Sequence, residues 1–152
     1  MDNASAVPPL YLNPSRWSQV ANVVYLESPA GVGFSYADTP DGIVHNDTST
    51  AEDAYAALTV FFEGFPEYQP NDFYISGESY AGMYVPTLAL QVLKHNDLYD
   101  ASKAANLVPD APKINLKGIL VGNGVTGEGS IPEDVALGGD VEFFFGHVSC
   151  FA

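Results

Sequence analysis

Basic residues are scarce in this chain: 5 Lys plus Arg stand against 19 Asp plus Glu, a formal net charge of −14 over 152 residues. So acidic a surface repels nucleic-acid phosphates, and no basic cluster offsets it, which excludes nucleic acid as a partner. The same balance suits a protein working at low pH, where part of the charge is neutralised. Cysteine is nearly missing too. Cys150 stands alone, which leaves no internal disulfide and no Cys-rich metal site. No apolar run approaches the roughly 18 residues of a membrane span. Met1 is followed by "DNASAVPPLYLNPS", which has neither the basic nor the apolar region of a signal peptide. Neither a ligand cluster nor a phosphate-cradling glycine loop is present, so no metal or organic cofactor is expected.

What is present is a globular composition, 47 % hydrophobic and 12 % aromatic, at the length of one ordinary domain. Three segments read as buried strands: "NVVYLE" (Asn22 to Glu27), "FYIS" (Phe73 to Ser76) and "GILVG" (Gly118 to Gly122), the last followed by the turn residues Asn123 and Gly124. They lack polar alternation and are separated by long connections, which predicts a parallel sheet covered on both faces.

The first connection predicts a helix. Ser49 and Glu52 have capping-box spacing, Ala51, Ala54, Tyr55, Leu58, Phe61 and Phe62 recur at helical intervals, and Gly64-Phe65-Pro66 ends the run. A second helix is predicted from about Pro86 through "TLALQVLKHN". The order strand, helix, strand, helix, strand is α/β. Residues 127–152 are Gly-rich and give no firm pattern.

One serine draws notice. In "FYISGESYAGMYVP", Ser79 falls where a strand should bend into a helix, with Gly77 two residues before it and Ala81 and Gly82 after it. A nucleophile at such a bend needs small neighbours, so Ala81 keeps the steric logic of G-x-S-x-G although it replaces the last glycine. The Tyr80 backbone N–H would then face a developing oxyanion, helped by the helix start. The alternative is a serine that merely caps the helix.

The stretches "NVVYLESPAGVGFSY", "TAEDAYAALTVFFEGFPEY", "FYISGESYAGMYVPTLA" and "INLKGILVGNG" resemble, in order and spacing, the serine carboxypeptidase family of α/β hydrolases. The resemblance runs from about Leu12 to Thr126. It implies a partial α/β-hydrolase fold, one domain over residues 1–152 truncated on both sides. It also implies an exopeptidase that removes C-terminal residues from peptides at acidic pH, secreted or in a vacuole or lysosome. By that resemblance Ser79 is the nucleophile, Tyr80 the oxyanion-hole residue, and Glu78 a glutamate that holds the substrate's terminal carboxylate. Two carboxylates in contact repel unless one carries a proton, so that contact favours acidic pH. Related acyltransferases tend to carry Asp at the position of Glu78, so "GESYAG" favours a peptidase. The sequons at Asn3 and Asn46 would matter in a secretory setting.

The triad's acid and base are not found. Of the three histidines, His45 precedes the nucleophile, and His95 follows it by sixteen residues of helix, a span of about 24 Å. His147 follows Asp140 too closely for a strand to intervene. The upstream "NGGPG" segment of the family is also missing. The sequence is therefore read as the central piece of a serine carboxypeptidase, not expected to turn over alone. A non-catalytic product that binds a partner through exposed sheet edges is the remaining alternative.

Overall fold

The computed structural model describes residues 9–126. Helix α1 spans Asp47–Gly64, strand β1 Phe73–Glu78, helix α2 Ala81–Ala104 and strand β2 Leu116–Gly122. Short 3-10 turns occupy Trp17–Gln19, Pro40–Ile43 and Pro66–Tyr68.

The start of α1 is set by Asn46. Its side chain accepts from the Ser49 N–H at 2.9 Å, while its own N–H donates to Ser49 Oγ at 3.0 Å. This reciprocal cap lies three residues earlier than the expected Ser49/Glu52 pair, because Asn46 is itself a strong capping residue. The helix buries Ala51, Ala54, Tyr55, Leu58 and Phe62 along one face. It stops at Gly64, as expected from Gly64-Phe65-Pro66.

Helix α2 begins at Ala81, one turn earlier than expected, and Pro86 lies inside it. Proline had marked a first turn in the sequence, but the bend at Ser79 launches the helix directly from the strand end. At the far end the chain reverses through Asn106, whose φ is 56°. The Leu107 N–H reaches the Ser102 carbonyl and the Asn106 N–H the Lys103 carbonyl, the paired bonds of a Schellman terminus.

β1 and β2 are parallel, with Tyr74 opposite Gly118 and Glu78 opposite Gly122. α2 packs on both strands and α1 packs on α2. The core is Tyr55, Leu58 and Phe62 of α1, Val85, Ala89 and Val92 of α2, and Ile75 and Ile114. Val92 and Ile114 are almost completely buried, each contributing roughly 1.5–3 kcal/mol relative to exposure. Asn96 ties α2 to the entry of β2: its Nδ2 donates to the Ile114 carbonyl at 2.8 Å, and its Oδ1 accepts the Ile114 N–H at 3.0 Å.

Two expectations are corrected. Asn22 to Glu27 forms no strand among the described residues, and Val24, Tyr25 and Leu26 are exposed. Strand propensity states only that a segment suits a pleated surface; the strand itself needs a hydrogen-bonded neighbour, and neither β1 nor β2 provides one here. Among the described residues, helices cover one face of the sheet only, and Tyr74 and Leu120 stand about half exposed.

Candidate functional site

Ser79 follows β1 directly and adopts φ 60°, a left-handed conformation that a non-glycine residue takes only under constraint. The constraint is visible in its peptide groups. The Ser79 N–H donates to the Gly122 carbonyl at 2.9 Å, continuing the parallel ladder one residue past the strand. The Ser79 carbonyl accepts from both the Gly82 N–H at 3.0 Å and the Val125 N–H at 2.9 Å. The backbone is thus held by the end of β2, while the side chain is exposed at the strands' C-terminal edge.

The neighbours show why small residues are required. A Cβ on Gly77 would strike the Ala81 Cβ and lie 3.3 Å from Val85 Cγ2. A Cβ on Gly82 would strike the Val125 carbonyl oxygen. Ala81 fits, so the strict pattern's last glycine is replaced without cost, and the glycine that cannot be replaced is Gly82. A serine serving only as a helix cap would need neither bend, and Ser79 is not the N-cap; Tyr80 is.

Among the described residues no acceptor takes the Tyr80 N–H, which opens the 24-residue helix α2 beside Ser79. Free N–H groups at a helix start carry partial positive charge and suit an anion. The Tyr80 side chain turns the other way. Its phenol donates to Asp47 Oδ1 at 3.1 Å, with Oδ2 at 3.4 Å, and its ring meets the Tyr84 ring edge to face at 4.9 Å. The Asp47 hydrogen bond, followed by the Asp47 charge, raises the Tyr80 phenol above its ordinary pKa. Glu78 is exposed, the last residue of β1. Glu78, Ser79 and Tyr80 therefore stand together on the strands' C-terminal edge, where open α/β sheets carry their sites.

Two of the histidines have other partners. His45 Nε2 lies 2.9 Å from the Ala30 carbonyl, and Nδ1 is 3.9 Å from Asp53 Oδ2. His95 stacks on Tyr55, ring centroids 4.1 Å apart. His45 thus anchors a loop and His95 packs against α1. His147 and the C-terminal Asp140 lie outside the described residues. No group of three or more His, Cys, Asp or Glu among the described residues is placed to hold a metal, and none of their helices is long and apolar enough to cross a membrane.

The "ESPAGVGFSY" loop is organised by Glu27. Its Oε2 accepts the Phe34 N–H at 2.7 Å, and its carbonyl accepts the Ser35 hydroxyl at 2.6 Å. Gly31 and Gly33 turn with φ 92° and 55°, and the Glu27 carboxylate leaves no space for a Cβ on Gly33. Phe34 and Tyr36 of this loop are exposed.

Sequence reasoning missed Asp47 and Val125. Asp47 looks like an ordinary first-turn acid, and nothing in the spacing ties it to a tyrosine 33 positions away.

The serine carboxypeptidase family model matches residues 3–133. Serine carboxypeptidase-like 21 of Arabidopsis thaliana is 51% identical over 120 residues, covering 78% of this chain and 22% of the relative. The lysosomal protective protein of Mus musculus is 47% identical over 116 residues, covering 76% and 21%. The chain thus spans about a fifth of the length of these relatives. Among solved structures, Kex1(Δ)p, a prohormone-processing carboxypeptidase from Saccharomyces cerevisiae, superimposes with TM-score 0.61 at 29% identity, covering 76% of this chain and 24% of that one. In sequence along most of its length, and in the strand–bend–helix that carries Ser79, the chain belongs to the serine carboxypeptidase family, with an α/β architecture like that of its structural neighbour.

Proposed function

We propose that these residues carry the nucleophile of a serine carboxypeptidase that releases C-terminal amino acids from peptides at acidic pH. Ser79 Oγ attacks the last peptide carbonyl and gives its proton to a general base. The negative charge that develops on the carbonyl oxygen is met by the Tyr80 N–H. The C–N bond then breaks, the leaving amine takes the proton, and water hydrolyses the Ser79 ester. Glu78 receives the substrate's terminal carboxylate, with one proton between the two groups, which sets the preference for acidic pH. The general base and its acid lie outside residues 9–126, so turnover is a property of the whole fold.

The observation that carries this reading is the left-handed Ser79, exposed beside a Tyr80 N–H that has no acceptor among the described residues, at the head of a long helix. The reading places the protein in the secretory pathway, in a vacuole or lysosome or outside the cell, with peptide C-termini as its substrates.

The test is release of the terminal residue from a blocked dipeptide by the full-length protein at acidic pH. Wild-type protein is expected to release it and Ser79→Ala to lose release by about a thousandfold or more. Retained activity in Ser79→Ala contradicts the role. Transfer from a glucose ester to an acceptor, with no peptide cleavage, would assign acyltransfer instead.

A further inference from the structure

Resting on the secretory placement given above, we propose that Asn46 is a modification site: its Nδ2 carries an N-linked glycan while its Oδ1 caps α1.

Asn46, Asp47 and Thr48 form an Asn-x-Thr sequon with no proline at its centre. The fold divides the Asn46 amide in two. The atom 2.9 Å from the Ser49 N–H must be the carbonyl oxygen, because the amide NH2 only donates. Nδ2 is the remaining arm, and among the described residues no acceptor takes it. Asn46 is exposed. Thr48 is exposed as well, in the first turn of α1, and its hydroxyl has no hydrogen-bond partner among the described residues.

The two groups that define a sequon, the asparagine amide nitrogen and the threonine hydroxyl, are thus the two that the helix start leaves unused. A cap alone needs only a side-chain oxygen, which Asp or Ser supplies equally well. It calls for neither an amide nitrogen nor a threonine two residues on.

The reaction is glycosyl transfer from a lipid-linked oligosaccharide pyrophosphate. The bond from the first N-acetylglucosamine C1 to the pyrophosphate oxygen breaks, and C1 joins Asn46 Nδ2. The amide proton goes to a base of the transferase, and the lipid pyrophosphate leaves. The product keeps its amide carbonyl, so Oδ1 still accepts the Ser49 N–H and the cap survives. A surface position is also what so bulky and polar a group requires. The attachment point lies beside the edge that carries Ser79, because the next residue, Asp47, accepts the Tyr80 phenol at 3.1 Å.

The experiment compares full-length wild-type protein with Thr48→Ala, Asn46→Ala and Asn46→Asp, each recovered from the cells that naturally make it. Peptide N-glycosidase in heavy-oxygen water converts a glycosylated asparagine into an isotope-marked aspartate, read by peptide mass spectrometry. Most wild-type chains are expected to carry the mark at position 46, and all three variants are expected to lose it. Thermal unfolding separates the cap from the glycan. Asn46→Ala is expected to melt about 2 °C below Asn46→Asp, although both lack the sugar, because only the aspartate keeps a capping oxygen. Equal melting of these two variants overturns the division of the amide between cap and glycan. Wild-type protein in the secretory pathway with a bare Asn46, including protein glycosylated only at Asn3, overturns the site and leaves the secretory placement standing. Wild-type protein found outside that pathway overturns the placement, and the glycan with it.

Discussion

Gly82 lies directly against the Val125 peptide: a Cβ at position 82 would meet the Val125 carbonyl oxygen and stand 2.7 Å from its carbon and nitrogen. The same Val125 N–H holds the Ser79 carbonyl. The first turn of α2 and the segment after β2 are thereby pressed together, and Ser79 is caught between them. Gly82→Ala must push the two apart. It is expected to cost about 2–3 kcal/mol in denaturant unfolding and to depress Ser79 reactivity more than tenfold. Ala81→Gly, which restores the strict glycine pattern, is expected to cost only about 0.5–1 kcal/mol and to keep activity.

The strain at Ser79 makes a second prediction. A left-handed non-glycine residue costs roughly 1–2 kcal/mol, and glycine adopts the conformation freely. Ser79→Gly and Ser79→Ala both remove the nucleophile, but only the glycine relieves the backbone. Ser79→Gly is expected to be about 1 kcal/mol more stable than Ser79→Ala in urea unfolding. Equal stability would mean that the left-handed geometry is not strained in solution.

Asn96 gives a third. Its side chain bonds both the N–H and the carbonyl of Ile114, which is 1% exposed, so a shortened side chain strands the buried N–H, while the carbonyl keeps the Leu116 N–H. Asn96→Ala is expected to lower stability by about 2–3 kcal/mol. It lies far along α2 from Ser79, so the folded fraction should retain its reactivity.

A fourth concerns the Tyr80 phenol, raised above its ordinary value by the Asp47 hydrogen bond and charge. A folded-state value above the unfolded one favours the native state below pH 10, and that advantage fades as pH rises through the folded value. In carbon-13 spectra of tyrosine-labelled protein, one ring is expected to titrate later than an unperturbed tyrosine. Tyr80→Phe should remove that signal, and Asp47→Asn should return it toward the ordinary value.

Local chemistry in the sequence located α1, β1, β2 and the Ser79 bend, because each is marked by residues that act over a few positions. Gly64-Phe65-Pro66 stops α1. Gly77 and Gly82 announce close backbone approach. The misses share a different cause. Asn22 to Glu27 has strand composition, yet pairing depends on a neighbour remote in sequence. Pro86 marked a helix start on propensity, while the start at Ala81 is imposed by the bend before it. The Asp47–Tyr80 contact joins two helix beginnings that only tertiary packing brings together. The roles of Glu78, Ser79 and Tyr80 came from resemblance together with the steric logic of the bend, and periodicity alone would not have assigned them.

The most direct test of the central claim is covalent. Full-length protein treated with a fluorophosphonate and mapped by mass spectrometry is expected to carry one adduct per chain, on Ser79, and Ser79→Ala is expected to carry none. Labelling no greater than in unfolded protein, or an adduct on another serine, would contradict the assignment of Ser79 as the nucleophile.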